Sequence, residues 1–246
     1  METDLFLGGR WLPVGEIAQP QIEEKSIMST AQKSGKDAKS AAERTKIVEE
    51  KRQRLNKVAG LVAKCSQCSL HKGRRNVVPG EGDPDARIVF IGEAPGGTED
   101  QKGRPFVGRA GKLLDKIISA MGLTREEVFI GNILKCRPPG NRDPQATEIT
   151  ACMDYLYQQL DIIEPEIIVA LGAHAARTLL NTNTAIGQLR GKIHEYLANP
   201  FAQPIKLVAT YHPAYLLRNY SPDNRLRVWQ DMQRVLEELG LPVPKK

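Results

Sequence analysis

The chain has 246 residues, 41 % of them apolar, and 35 Lys plus Arg against 29 Asp plus Glu leave a net charge of +6. That is apolar material enough for a core, and the modest basic excess permits a polyanionic partner without requiring one. No stretch approaches the roughly 18–20 apolar residues of a membrane span, and the acidic opening METDLFLGGRWLP is not a secretory signal. The expectation is a cytoplasmic protein whose four cysteines are metal ligands or buried fillers rather than disulfides.

In chain order, residues 1–57 differ from the rest. Leu5 to Val14 carries Phe6, Leu7, Trp11 and Leu12 and is read either as a tail or as a short docking motif for a protein partner. Ser26 to Ser40 is small, polar and poor in apolar residues, which predicts disorder. Ala41 to Ala63, with Ile47, Leu55, Val58, Leu61 and Val62, has the spacing of a helix leading into a domain that covers 58–246.

From Arg87 onward strands and helices alternate. RIVFIG, VFIGNIL (128–134), EIIVALG (166–172) and KLVATY (206–211) are continuous apolar runs. Between and after them come helices over Ala110–Met121, from Asp143–Pro144 to about Ile163, over Ala173–Leu180 and over Asp223–Leu239. An acid followed by proline predicts an N-cap at Asp143. Apolar strands alternating with helices predict an α/β protein, a central mainly parallel four-stranded sheet covered on both faces. Ligands of such sheets bind beyond the carboxyl ends of the strands. The loops there are GEAPGG, NILKCRPPGNRDP and YHPAYLLR.

Cys65 and Cys68 form a C-x2-C pair, Cys136 follows the second strand, and Cys152 lies in the helix after it. Four thiolates can hold a 4Fe–4S cluster or a zinc ion, and spacing does not separate the two. Either would staple the lead-in segment to the basic, proline- and glycine-rich loop whose Arg137 and Arg142 are candidate phosphate contacts. Gly108, Arg109 and Lys112 open a helix whose amides suit a DNA phosphate. GRAGK is not a nucleotide P-loop, because Phe106 stands where the first glycine is needed and Leu113 replaces the Ser/Thr, so no nucleotide cofactor is expected.

GEAPGGTED followed by GRPFVGRAGKLLD, Asn132 in GNILKC and His212 in HPAYLLR, together with the four cysteines, resemble the motifs of the family-4 iron–sulfur uracil-DNA glycosylases from about Val58 to Leu239. The resemblance implies a three-layer α/β/α fold, a 4Fe–4S cluster as cofactor, uracil-containing DNA as partner and a monomer. It implies catalytic or base-binding roles for Glu93, Ala94, Pro95, Glu99, Phe106, Asn132 and His212. An asparagine amide can accept uracil's N3–H and donate to O4, whereas cytosine presents the reverse pattern. A placed histidine donor suits the charge that develops on departing uracil. Phe106 resembles a base-stacking residue, and Glu99 is assigned to the wall that excludes a 5-methyl group. Better-known uracil glycosylases carry an aspartate at the position of Ala94, so the water-activating group is left open here. Leu216 is read either as a wedge into the DNA stack or as helix core, and Arg218 as a phosphate contact or a surface charge. His71, His174 and His194 are read as structural. No Schiff-base lysine stands in these motifs, which predicts hydrolysis to an abasic site without strand scission. The alternatives are a non-catalytic uracil-DNA sensor and an iron–sulfur electron carrier.

Overall fold

The structure, a computed structural model, describes residues 4–7, 10–13, 34–197 and 204–244, with side chains from residue 42. Strands β1 (Asp4–Leu7) and β2 (Arg10–Pro13) pair antiparallel, Phe6 opposite Trp11. The remaining residues of the proposed docking motif lie outside the described residues. So do 26–33 of the stretch expected to be disordered, and residues 34–40 open a helix.

Helix α1 (Ser34–Ala63) runs through residue 57 without a break. Its early turns are rich in Ala, Lys and Glu, strong helix formers. Val58 and Val62 are buried, whereas Ile47 and Leu61 face solvent. Lys51 reaches across to Asp85 (2.9 Å) and to the carbonyl of Ile163 (3.0 Å), so the helix is fastened upstream of its apolar contacts.

Next come β3 (Glu81–Gly82), β4 (Ile88–Gly92), α2 (Gly97–Lys102), α3 (Arg109–Ala120), β5 (Phe129–Asn132) and α4 (Ala146–Ile163). They are followed by β6 (Ile167–Leu171), α5 (Ala173–Leu180), α6 (Ile186–Leu189), β7 (Ile193–Tyr196), β8 (Ile205–Thr210), α7 (Pro213–Arg218) and α8 (Pro222–Glu238). Among the described residues the sheet has six strands in the order β3-β5-β4-β6-β8-β7. Its inner four, β5-β4-β6-β8, are parallel and are the four apolar runs of the sequence. The expected count of four is corrected by β3 and β7, which pair antiparallel at the two edges. Both are short and partly solvated, and so lack the continuous apolar signal of a buried strand.

Side-chain alternation divides the core in two. Val89, Ile91, Ile168 and Ala170 join α1, α4 and α5 on one face, while Ile88, Phe90, Ile167 and Val169 join α3 and α8 on the other. The result is three layers. The chain runs from β4 to β5 on one side and then returns to β6 on the other, so strand order reverses at β4, where a crevice opens at the carboxyl edge.

The N-cap expected at Asp143 is corrected. Pro144 precedes the helix, and Gln145 caps α4 in a reciprocal box with Glu148. The Glu148 carboxylate is buried and also takes Arg142 through two bonds, of 2.9 and 2.6 Å. Glu148 therefore provides the acid that closes this helix start, and Asp143 is left exposed beside the crevice.

Candidate active site

A cavity of about 710 Å³ lies at the carboxyl edge, lined by Glu93, Ala94, Pro95, Glu99, Phe106, Asn132, His174 and His212 among others. Each inner strand delivers one part: Gly92 and Glu93 after β4, Asn132 ending β5, Gly172 to His174 after β6, and Tyr211 and His212 after β8.

Asn132 is 1 % exposed and its Oδ1 has no hydrogen-bond partner among the described residues. A buried acceptor left unpaired costs about 1–3 kcal/mol. Phe106 holds a left-handed backbone (φ 49°) and stands 5.7 Å from the His212 ring, centroid to centroid. Two glycines make this packing possible. A Cβ on Gly92 would lie 2.4 Å from Asn132 Oδ1 and 2.6 Å from Phe106 Cζ, and one on Gly111 would lie 1.8 Å from the Phe106 carbonyl. Glu99 Oε1 accepts from the amides of Val107 (2.9 Å) and Gly108 (2.8 Å), fixing the loop that presents Phe106. Glu99 thus lines the cavity and braces it. The Gly108 amide donates inward to Glu99, which corrects the expectation that this amide serves a phosphate.

His212 caps α7, its Nδ1 accepting from the Ala214 amide at 3.0 Å. That bond assigns the proton to Nε2, the remaining ring nitrogen. Burial, reinforced by the positive charge of Arg218, lowers its pKa to about 4, so at neutral pH the ring is an uncharged donor.

The sequence reading left His174 among structural histidines, and the structure corrects this. His174 stands in the cavity wall with Nε2 3.5 Å from Asp143 Oδ2, and ligand atoms of Glu93, Asp143 and His174 all lie within 4.8 Å of one another. Burial raises the Glu93 pKa, the charge of His174 opposes that rise, and Asp143 adds to it. The available signal was position: His174 lies three residues beyond a buried parallel strand, where such sheets bind ligands.

Of the other expected DNA contacts, Arg109, Lys112 and Arg218 are exposed, Arg137 bonds to Asn141 Oδ1 (2.7 Å), and Arg142 is held by Glu148. Leu216 is 2 % exposed and packs in the core with Val228 and Trp229, so the wedge reading is corrected to helix core. On α7 the exposed apolar side chains are Tyr215 and Leu217.

The four cysteines line one small cavity between the end of α1 and α4. Cys136 and Cys152 are buried, Cys65 and Cys68 half-buried, and all four are free thiols. Donors already face the sulfurs: Arg74 Nη1 lies 3.2 Å from Cys136 Sγ, and the Lys135 amide 3.2 Å from Cys152 Sγ. Such donors suit bound thiolates. Burial pushes the Cys152 thiol up to about 11 and raises Cys136 as well, so loading a metal here releases protons.

The fold and the crevice define a three-layer α/β protein with a ligand site at the carboxyl edge of its sheet, and the family model described as the uracil DNA glycosylase superfamily matches residues 79–233. The type-4 uracil-DNA glycosylase of Archaeoglobus fulgidus is 44 % identical over 194 residues, 77 % of this chain and 96 % of that protein. Those of Saccharolobus solfataricus and Thermotoga maritima are 47 % and 46 % identical, over 76 % and 72 % of this chain and 87 % and 90 % of theirs. This chain belongs to the type-4 uracil-DNA glycosylases of that superfamily.

Proposed function

We propose that this protein removes uracil from DNA by hydrolysing the N-glycosidic bond, leaving an abasic site and an intact strand. The observation that carries the reading is the buried, unpartnered Oδ1 of Asn132 beside the ring of Phe106. Uracil flipped into the cavity brings an N3–H donor for that oxygen and an O4 acceptor for the amide nitrogen. Cytosine would set donor against donor and leave buried groups unpaired. Phe106 stacks on the base, and Pro95 and Ala94 line its surroundings.

As the bond to C1′ breaks, the electron pair leaves with uracil. The neutral Nε2–H of His212 donates to O2 of that anion without first having to lose a charge. Water adds at C1′ and gives up its proton. Glu93 is the carboxylate of the cavity suited to take it, with His174 beside it. Ala94 supplies no such group.

Cys65, Cys68, Cys136 and Cys152 fit a 4Fe–4S cluster by donor type and by the N–H groups facing the sulfurs. The cluster would supply cross-linking of segments rather than chemistry on the base. Arg109, Lys112, Arg137 and Arg218 are assigned to the DNA backbone.

The test is alkali-dependent cleavage of a labelled oligonucleotide with one uracil, single-stranded and opposite G and A, with cytosine and thymine controls. Cleavage at uracil, only after alkali, is expected. His212→Ala should lower the rate by about 10²- to 10³-fold. Cleavage without alkali, or none by protein carrying its metal, would overturn the reading.

A further inference from the structure

Lys135 is a buried charge that the mechanism above does not use. It is 1 % exposed, and its Nζ donates to the main-chain carbonyl of Asn132 (2.8 Å) and to Gln159 Oε1 (2.7 Å). Gln159, itself 3 % exposed, donates onward to the Pro79 carbonyl at 2.7 Å. The amide of Lys135 meets Cys152 Sγ, and Gln159 lies on α4, two turns beyond Cys152. One residue thus bonds at its main chain to a cysteine on α4, and at its side chain both to that helix and to the backbone of the base-reading asparagine. A buried ammonium is costly to keep, and a hydrocarbon side chain would fill the same space at less cost.

We infer that Lys135 is a positioning residue, which fixes the end of β5 against α4 and so sets the Asn132 amide in register with the base. The cysteine site and the base pocket then share one rigid link five residues long, from Asn132 to Cys136. This inference rests on the reading of the cavity as a uracil site. It assigns to Lys135 neither contact with substrate nor a share in proton transfer.

The test uses the metal-loaded protein and Lys135→Met, which keeps length and loses the ammonium. The inhibition constant of free uracil is the deciding quantity, because it reports the pocket of folded molecules whatever fraction is folded. It is expected to rise about ten- to a hundredfold, as for other residues that hold a ligating group in place. Affinity for DNA carrying an abasic site, and the visible absorbance of the cluster, are expected to stay as in wild type. If Lys135→Met does not assemble, Gln159→Leu decides: it leaves the lysine and every cysteine in place, and uracil inhibition should weaken about three- to tenfold. If both variants are made, the double variant should be no worse than Lys135→Met alone. A uracil inhibition constant within twofold of wild type in an assembled variant overturns the inference. Asn132→Ala separates the two readings. Weakened inhibition there with none in Lys135→Met condemns only the role of Lys135, whereas no change in Asn132→Ala condemns the pocket itself.

Discussion

The roles proposed for Asn132 and His212 rest on what their neighbours leave unmade. Oδ1 of Asn132 lacks a partner, and Nε2 of His212 is freed because Nδ1 is occupied by the Ala214 amide. The low pKa of His212 has a consequence for pH. An unfolded histidine titrates near 6.5 and the folded one near 4, so between those values the unfolded chain binds more protons and folding weakens as pH falls. The contribution is fully present above 6.5. The acid limb of kcat/KM due to His212 is therefore expected near pH 4. A limb centred at 6.5 that disappears in His212→Asn would contradict the assigned neutral donor. Gly92 makes a second claim at this scale. Gly92→Ala puts a methyl into Asn132 and Phe106 at an ordinary backbone conformation. It is expected to cost about 100-fold in kcat/KM with little loss of thermal stability, measured by oligonucleotide cleavage and thermal melts.

At the scale of elements, loops are positioned by acids that the sequence shows without their partners. Glu99 ties the Phe106 loop, and Glu148 ties both the start of α4 and Arg142. Glu148→Ala removes a buried carboxylate and its cap. A loss of about 1–3 kcal/mol in chemical denaturation is expected, with weaker DNA binding because Arg142 and its loop lose their anchor. Arg142 holds the Glu148 carboxyl below its ordinary value, so this stabilisation is present above the unfolded carboxylate pKa and fades as pH falls through the folded one. An unchanged midpoint would show that the box is ornamental. The sequence was most readable where an element is apolar and continuous, as in β4 and β6. It was least readable where partners are remote. Asp143 looked like a cap until the reciprocal bonds of Gln145 and Glu148 were seen, and Leu216 and Leu217 are indistinguishable until α7 is packed. His174 was missed because an isolated histidine carries no pattern, and only the fold brings it to Glu93 and Asp143.

At the scale of the whole molecule, the three-layer α/β fold and the cysteine set were legible, because both rest on patterns that packing does not rearrange: alternating apolar runs and a C-x2-C pair with two more thiols. The cysteines join the end of α1 to the loop after β5 and to α4. Cys136→Ser is expected to abolish the visible absorbance of the proposed cluster and to lower the melting temperature, since the change reaches two layers at once. An unaltered spectrum would remove the cluster from the account. The edge strand β3, only two residues long, could not be read from EG at all; it exists because β5 offers a partner.

Helix α1 ends at Ala63, and Cys65 follows at once, its amide bonded to Val62. Half of the thiol set therefore leaves the ribosome roughly 70 residues before Cys136 and more before Cys152. At about 5–20 residues per second the first pair waits of the order of 4–17 s for its partners. Completion of the four-thiol site is thereby a late event in the making of this protein. It waits for synthesis of two of the four parallel strands, β4 and β5, and of α4 as far as Cys152, and a nascent chain that meets oxidant earlier does so with two unshielded thiols side by side.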